Sequence, residues 1–223
     1  MVSPVSIYEE DIYCDRMNSP SYIFDSWVSS WGAVALVIFG YLLGSVPVGF
    51  FLGSLSGIDV RKSGSGNVGA TNVARVVGKK QGLLTLTGDM VKGFIPVFFS
   101  IQMGFSPFIT GLVALAAFFG HLYPVFLRFQ GGKGVATALG VLFALAPMAA
   151  IILLFVFSLV AALSRLVSLA SIIAVGLAPI VIWLFSYPSL TIGISFIMAL
   201  WIIFRHRENI QRLCSGAEPT FNL

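Results

Sequence analysis

Residues 135–163 read VATALGVLFALAPMAAIILLFVFSLVAAL, without one charged side chain. A transmembrane helix needs about 20 apolar residues, so the run is too long for one comfortable span. Pro147 stands inside it, and proline breaks a helix by lacking an N–H and crowding the preceding turn. The stretch therefore reads as a short helix over about 135–146 and a fuller one over about 148–163. Twelve residues rise only about 18 Å. The short helix must be a partial span packed against its neighbours, which is tolerated where protein surrounds it.

Further apolar runs flank it at roughly 31–56, 81–102, 106–127, 166–186 and 189–204. Loop 57–80 carries Arg61, Lys62, Arg75, Lys79 and Lys80, and short loops rich in Lys and Arg stay cytoplasmic. The acidic N-terminus then lies outside. Two crossings later Arg128 and Lys133 are inside again, and the uncharged hinge near Gly104 to Pro107 is outside. The tail with Arg205, Arg207 and Arg212 also belongs inside, which requires an even number of crossings between 134 and 205. Dividing 135–163 at Pro147 supplies it. The fold class expected is an all-α polytopic membrane protein with seven transmembrane helices, one short, N-terminus outside and C-terminus cytoplasmic. Every basic residue of the body then lies inside except Lys92, which is within a helix.

Composition supports the bilayer as solvent: 57% of the 223 residues are hydrophobic and 10% charged, against about 25% charged in soluble domains. Residues 1–26 hold five acids and Arg16, whereas the rest holds four acids and twelve Lys and Arg, a net of +8. That surplus suits anionic lipid and anionic substrates. Residues 1–30 lack a basic region followed by an apolar run, so they read as an extracytoplasmic extension rather than a cleavable signal. Residues 31–218 form one transmembrane domain and 219–223 a short tail. Cys14 and Cys214 fall on opposite sides and cannot pair. Gly40, Gly44, Gly49, Gly53 and Gly57 on the first run read as close-packing positions. Asp89 and Lys92, three apart, can share one helix face, either as a self-satisfying pair or as a functional flag.

Three polar segments carry the chemistry. The first runs from Ser63 to Arg75. Its glycines (Gly64, Gly66 and Gly69) permit conformations in which N–H groups converge on an anion. Ser65, Asn67, Thr71 and Asn72 add neutral donors, and Arg75 adds a planar fork suited to phosphate. Residues 70–77 can start a short helix. The three glycines also match the dinucleotide fingerprint with Asp89 twenty residues on, but a transmembrane helix precedes them where a strand is needed. The second segment, Gly120 to Thr137, places Gly131, Gly132 and Gly134 around Lys133. Leu127 and Gly134 stand where a Walker loop needs Gly and Ser or Thr, so this is no nucleotide loop. Lys133 reads as a phosphate ligand or a topology charge, and His121 as a satisfied structural histidine. The third, Arg205 to Glu218, reads either as a snorkelling helix end with a Glu208–Arg212 pair or as His206 and Asn209 facing a shared polar site. Taken together, the segments describe a membrane protein that handles phosphate at one face.

At these segments the chain closely resembles the bacterial acyl-phosphate glycerol-3-phosphate acyltransferase family, PlsY, over roughly residues 31–218. The resemblance implies transfer of a fatty acyl group from acyl phosphate to the 1-hydroxyl of glycerol 3-phosphate, giving lysophosphatidic acid and phosphate, as the first step of phospholipid biosynthesis. By motif position it implies phosphate binding and catalysis by Ser65 and Arg75. The Lys133 glycine loop would hold the glycerol 3-phosphate phosphate, His206 and Asn209 would line the site, and Glu218 would support the third segment. It implies a bacterial cell membrane location with the site facing the cytoplasm, membrane lipids and an upstream acyl-phosphate-forming enzyme as partners, and no nucleic acid.

Acyl phosphate is an activated mixed anhydride, so donors on its leaving phosphate and the pairing of two substrates can lower the barrier. No Ser-His-Asp set is visible, and the His-x4-Asp pair of acyl-CoA-dependent enzymes is missing: Phe126 follows His121 by five and Gln211 follows His206 by five. The expectation is direct transfer without an acyl-enzyme, the proton going to His206 or to the departing phosphate. No metal-ligand spacing appears, so neither metal nor cofactor is expected. The competing classes are an organophosphate transporter, which would want ligand groups near the bilayer midplane, and an acyl-CoA-dependent enzyme of the same type.

Overall fold

The computed structural model describes residues 20–220, with side chains described from residue 30. The chain divides into two units, residues 1–36 and 37–223. The first holds the start of helix α1 (Pro20–Gly44), so part of the expected extension is helical; its remainder, with Cys14, lies outside the described residues. The second holds all that follows.

The expected run 31–56 is broken. α1 ends at Gly44, the chain turns through Ser45–Pro47, and α2 spans Val48–Leu55. Pro47 has no N–H to continue the ladder and disfavours helical backbone at Val46, so it divides the first run as Pro147 divides the later one. α3 (Ala70–Val76) is the short helix expected in the first polar segment. α4 (Lys79–Gln102) and α5 (Pro107–Leu122) follow. α5 opens on Ser106, whose hydroxyl accepts from the Ile109 N–H at 3.3 Å, and on a proline at N1, where no helical donor is lost.

The split at Pro147 is present: α6 covers Val135–Leu145 and α7 covers Pro147–Ser164. α8 (Val167–Leu184) and α9 (Ser189–Arg205) complete the apolar helices, and α10 (Arg207–Cys214) leaves α9 at a bend of 60° across His206. Among the described residues there is no strand. Among the described residues, five stretches are long and apolar enough to cross a bilayer, namely Ser30–Leu55, Lys79–Gln102, Pro107–Leu127, Pro147–Ser164 and Val167–Leu184; α9 with α10 makes a bent sixth, and α6 is a shorter apolar helix.

α6 has only 11 residues but packs against α4, α5, α7 and α9. Its small residues set the distances. A Cβ on Gly140 would lie 2.0 Å from the Met90 carbonyl of α4, and one on Gly93 of α4 would lie 2.3 Å from the Thr137 carbonyl. On α1, a Cβ at Gly44 would lie 2.1 Å from the Ala117 carbonyl of α5. Gly40, Gly44, Gly49 and Gly53 do serve close packing, whereas Gly57, expected to do the same, has open space about it and serves a turn at φ +73. Phe118, Leu122, Ile182, Met198 and Ile202 fill the centre, while Phe155, Leu163 and Trp183 point outward. Such an outward apolar belt suits lipid rather than water.

Replacing Gly140 with Ala should cost about 1–3 kcal/mol, since the added methyl meets backbone that cannot yield. Gly193 of α9 has open space where its Cβ would be, so Gly193→Ala should be neutral or stabilising by up to about 1 kcal/mol. Thermal unfolding of both variants in detergent measures the difference; equal behaviour would contradict the packing described.

Candidate active site

The first polar segment is organised by one buried amide. Asn72, at the start of α3, accepts from the Ser65 N–H at 2.9 Å through Oδ1. Its Nδ2 donates toward the carbonyls of Val60, Ser63 and Asn67 at 3.0, 3.1 and 2.8 Å. Asn67 Oδ1 caps the Gly69 N–H at 2.8 Å, and the Gly66 N–H bonds the Ser63 carbonyl. Val60, Val68 and Val73, with Leu127, form a small core beneath the loop. Gly64 takes φ +60, and a Cβ there would strike Asn72 Oδ1 at 2.3 Å. The loop is thus held from within, and its side chains face outward. Ser65 and Arg75 are exposed, and the Ser65 and Thr71 hydroxyls and the Arg75 guanidinium have no partner among the described residues. The Asn72 amide and the Gly66 N–H, expected as anion donors, are committed to the loop instead.

The glycines of the second segment behave likewise. The N–H groups of Gly131 and Gly132 donate to the carbonyls of Leu122 and His121 at the end of α5, at 3.1 and 3.2 Å. A Cβ on Gly132 would lie 2.2 Å from His121 Nε2. These glycines let the loop lie flat on the helix end; they do not aim N–H groups at a ligand. Gly134, at φ +89, turns the chain into α6. His121 is buried, with Nδ1 3.6 Å from Asp89 Oδ1, and Asp89 Oδ1 meets Lys92 Nζ at 2.8 Å. The expected Asp89–Lys92 pair on one helix face is present, and Lys92 also donates to the Val46 carbonyl at 2.8 Å.

Lys133 leaves this loop and donates to Asn209 Oδ1. Asn209, buried on α10, donates to Glu218 Oε1 at 2.5 Å, and Glu218 Oε2 accepts from Arg212 Nε at 2.8 Å. The expected Glu208–Arg212 pair does not form: Glu208 lies 4.0 Å from Arg207, and Arg212 turns to Glu218. Burial pushes the Lys133 ammonium down to about 8. His206, at the bend, is also buried, and burial pushes it down to about 4, so it is neutral at working pH. Its Nδ1 lies 2.8 Å from the Ile202 carbonyl. A carbonyl can only accept, so Nδ1 carries the proton and Nε2 keeps a free lone pair.

One cavity of about 560 Å³ gathers these groups. Gly64, Ser65, Asn67, Gly69, Thr71, Asn72, Arg75, His121, Lys133, Gly134, His206, Asn209 and Glu218 line it, whereas Gly66, Gly131 and Gly132 do not. The three polar segments therefore meet in one place. The cavity continues into an apolar end walled by α6, α7 and α8, including Leu142, Leu153, Phe157 and Ala178. Asp89, Arg212, Ser168 and Ser171 also reach the wall and were not assigned from sequence. The two serines stand three apart in an otherwise apolar helix, a spacing that puts both on one face and was a readable signal.

The chain matches the glycerol-3-phosphate acyltransferase family over residues 34–216. A protein named glycerol-3-phosphate acyltransferase from Trichlorobacter lovleyi is 51% identical over 182 residues, covering 81% of this chain and 93% of that protein. Its namesake from Aquifex aeolicus is 46% identical over 190 residues, covering 85% and 99%. The crystal structure of PlsY (YgiH), an integral membrane glycerol 3-phosphate acyltransferase, in its glycerol 3-phosphate form superimposes with a TM-score of 0.83 at 45% identity, covering 86% of this chain and 96% of that one. The lysophosphatidic acid form of that protein gives 0.81 at 44% identity. Fold, polar segments and relatives agree: this chain belongs to the glycerol-3-phosphate acyltransferase family, PlsY.

Proposed function

We propose that the chain transfers a fatty acyl group from acyl phosphate to the 1-hydroxyl of glycerol 3-phosphate, yielding lysophosphatidic acid and inorganic phosphate. The observation that carries this reading is the two-part cavity. Its polar end offers unpaired cationic and hydroxyl groups, and its apolar end is enclosed by helices and suits an acyl chain. The names of the relatives supply the acceptor. The donor is the one implied by the resemblance of the three polar segments to the acyl-phosphate-dependent family, and the gathering of Ser65, Arg75 and Lys133 in one cavity, with room for two phosphates, supports it.

In this reading Ser65 and Arg75 bind the donor phosphate and Lys133 binds the phosphate of glycerol 3-phosphate. The hydroxyl oxygen attacks the acyl carbonyl carbon, and the bond from that carbon to the phosphate oxygen breaks. His206 Nε2 receives the hydroxyl proton and, being a weak base, passes it to the departing phosphate. Asn209 holds Lys133, and Glu218 holds Asn209. The domain spans residues 31–218. With α6 and α9 as spans, seven helices cross the bilayer, N-terminus outside, and the cavity's polar end opens to the cytoplasm of a bacterial cell membrane. An enzyme that forms acyl phosphate acts upstream.

Purified protein offered acyl phosphate or acyl-CoA, with glycerol 3-phosphate present or absent, tests the donor. Phosphate release only when acyl phosphate and glycerol 3-phosphate are both present is the expected result. Turnover with acyl-CoA would reassign the donor, and saturable uptake into vesicles without acylation would make the chain a transporter. A trapped acyl-Ser65 adduct would exclude direct transfer.

The pH dependence of KM for glycerol 3-phosphate tests Lys133. The substrate dianion forms above its second phosphate pKa of about 6, and the ammonium is lost above about 8. KM should be lowest between these values and rise with pH above 8, approaching about tenfold per pH unit for a one-proton step. Lys133→Gln should raise KM and abolish that upper limb.

A further inference from the structure

We propose that Arg205 is a positioning residue that fixes the Lys133 loop, a role resting on the reading above that Lys133 binds the acceptor's phosphate. Arg205 closes α9, does not line the cavity, and reads in sequence as one of several arginines that mark a cytoplasmic helix end. Its guanidinium is engaged otherwise. Nη2 donates to the Gly131 carbonyl at 2.7 Å and Nε to the Gly132 carbonyl at 3.2 Å. These are the two residues immediately before Lys133.

The same two residues are tied on their other side, their N–H groups bonding Leu122 and His121. The donor and acceptor of each residue are therefore held by different helices, α5 and α9. The glycine loop is gripped between them, with its backbone orientation fixed where the Lys133 stem begins. The guanidinium is itself placed: it lies 5.9 Å from the Tyr123 ring centroid, and the Tyr123 hydroxyl accepts from Trp201 Nε1 at 3.2 Å. Both hydrogen bonds of Arg205 go to carbonyls, and its charge is not neutralised by a carboxylate among the described residues. One planar fork meets two successive carbonyls; a lysine ammonium has the charge but no such fork.

Steady-state kinetics on the full chain, with glycerol 3-phosphate and acyl phosphate varied in turn, tests this. Arg205→Gln should raise KM for glycerol 3-phosphate about 10- to 100-fold, the scale of a small misplacement of a binding group, while KM for acyl phosphate stays within about twofold. Combined with Lys133→Gln, it should add less than about threefold, because groups acting through one another are not additive. Arg205→Lys should stay within about threefold of Arg205→Gln, since the fork rather than the charge is required. Wild-type kinetics for Arg205→Lys, equal rises in both KM values, or full multiplication on the Lys133→Gln background would each overturn the proposal. Amide hydrogen exchange over residues 128–137 reads the clamp without any catalytic assay. Faster exchange in Arg205→Gln supports it and unchanged exchange overturns it, whereas a wild-type protein inactive with every donor refutes only the reading of function.

Discussion

Lys133 donates to an amide oxygen, and the nearest engaged carboxylate, that of Glu218, stands behind that amide. This order governs the site. Attraction between charges falls with distance, and a direct Lys133–Glu218 bridge would have spent the cation on its neighbour. Asn209 passes on the orienting effect of Glu218 without cancelling the charge. The carboxylate is occupied from its other side by Arg212. What faces the cavity is a half-buried ammonium with unmet demand, and its lowered proton affinity is the physical cost of leaving it so.

The glycine-rich loops take a different part from the one their composition suggests. In a nucleotide-binding loop, successive N–H groups converge on phosphate. Here the N–H groups of Gly66, Gly69, Gly131 and Gly132 are occupied by Ser63, Asn67, Leu122 and His121. The absence of side chains is used for close approach, to Asn72 in one loop and to His121 in the other. The polar groups left to face the cavity are hydroxyls, the Arg75 fork and the Lys133 ammonium. Side chains can be displaced and screened more readily than a rigid cradle, which would suit the exchange of phosphate-bearing ligands proposed above.

The spans were legible because each is a local property: an unbroken apolar run, or a proline that divides one. Pro147 announced the α6–α7 break, and the residues after Gly69 announced α3. Pro47 carries the same message within the first run, masked there by a run of ordinary length for a single span. The polar segments were legible as a set, since basic and hydroxyl residues crowd where no lipid-facing helix tolerates them. Their internal wiring was not. Arg212 chooses Glu218 over Glu208, and Arg205 reaches residues 73 and 74 positions away. No periodicity encodes such partners; they follow from the bend at His206 and the landing of the glycine loop on α5. Ser168 and Ser171 were readable but lost among apolar neighbours.

The end of α6 has a further consequence. Pro147 has no N–H to give the Phe143 carbonyl, and among the described residues no donor reaches the carbonyls of Phe143, Ala144 or Leu145. Eleven residues rise about 16 Å, roughly half the thickness of a bilayer's hydrocarbon core. Bare carbonyls require a hydrogen-bonding solvent. The α6–α7 turn is therefore a place where hydrocarbon is a poor neighbour, and water or headgroups suit it better than acyl tails.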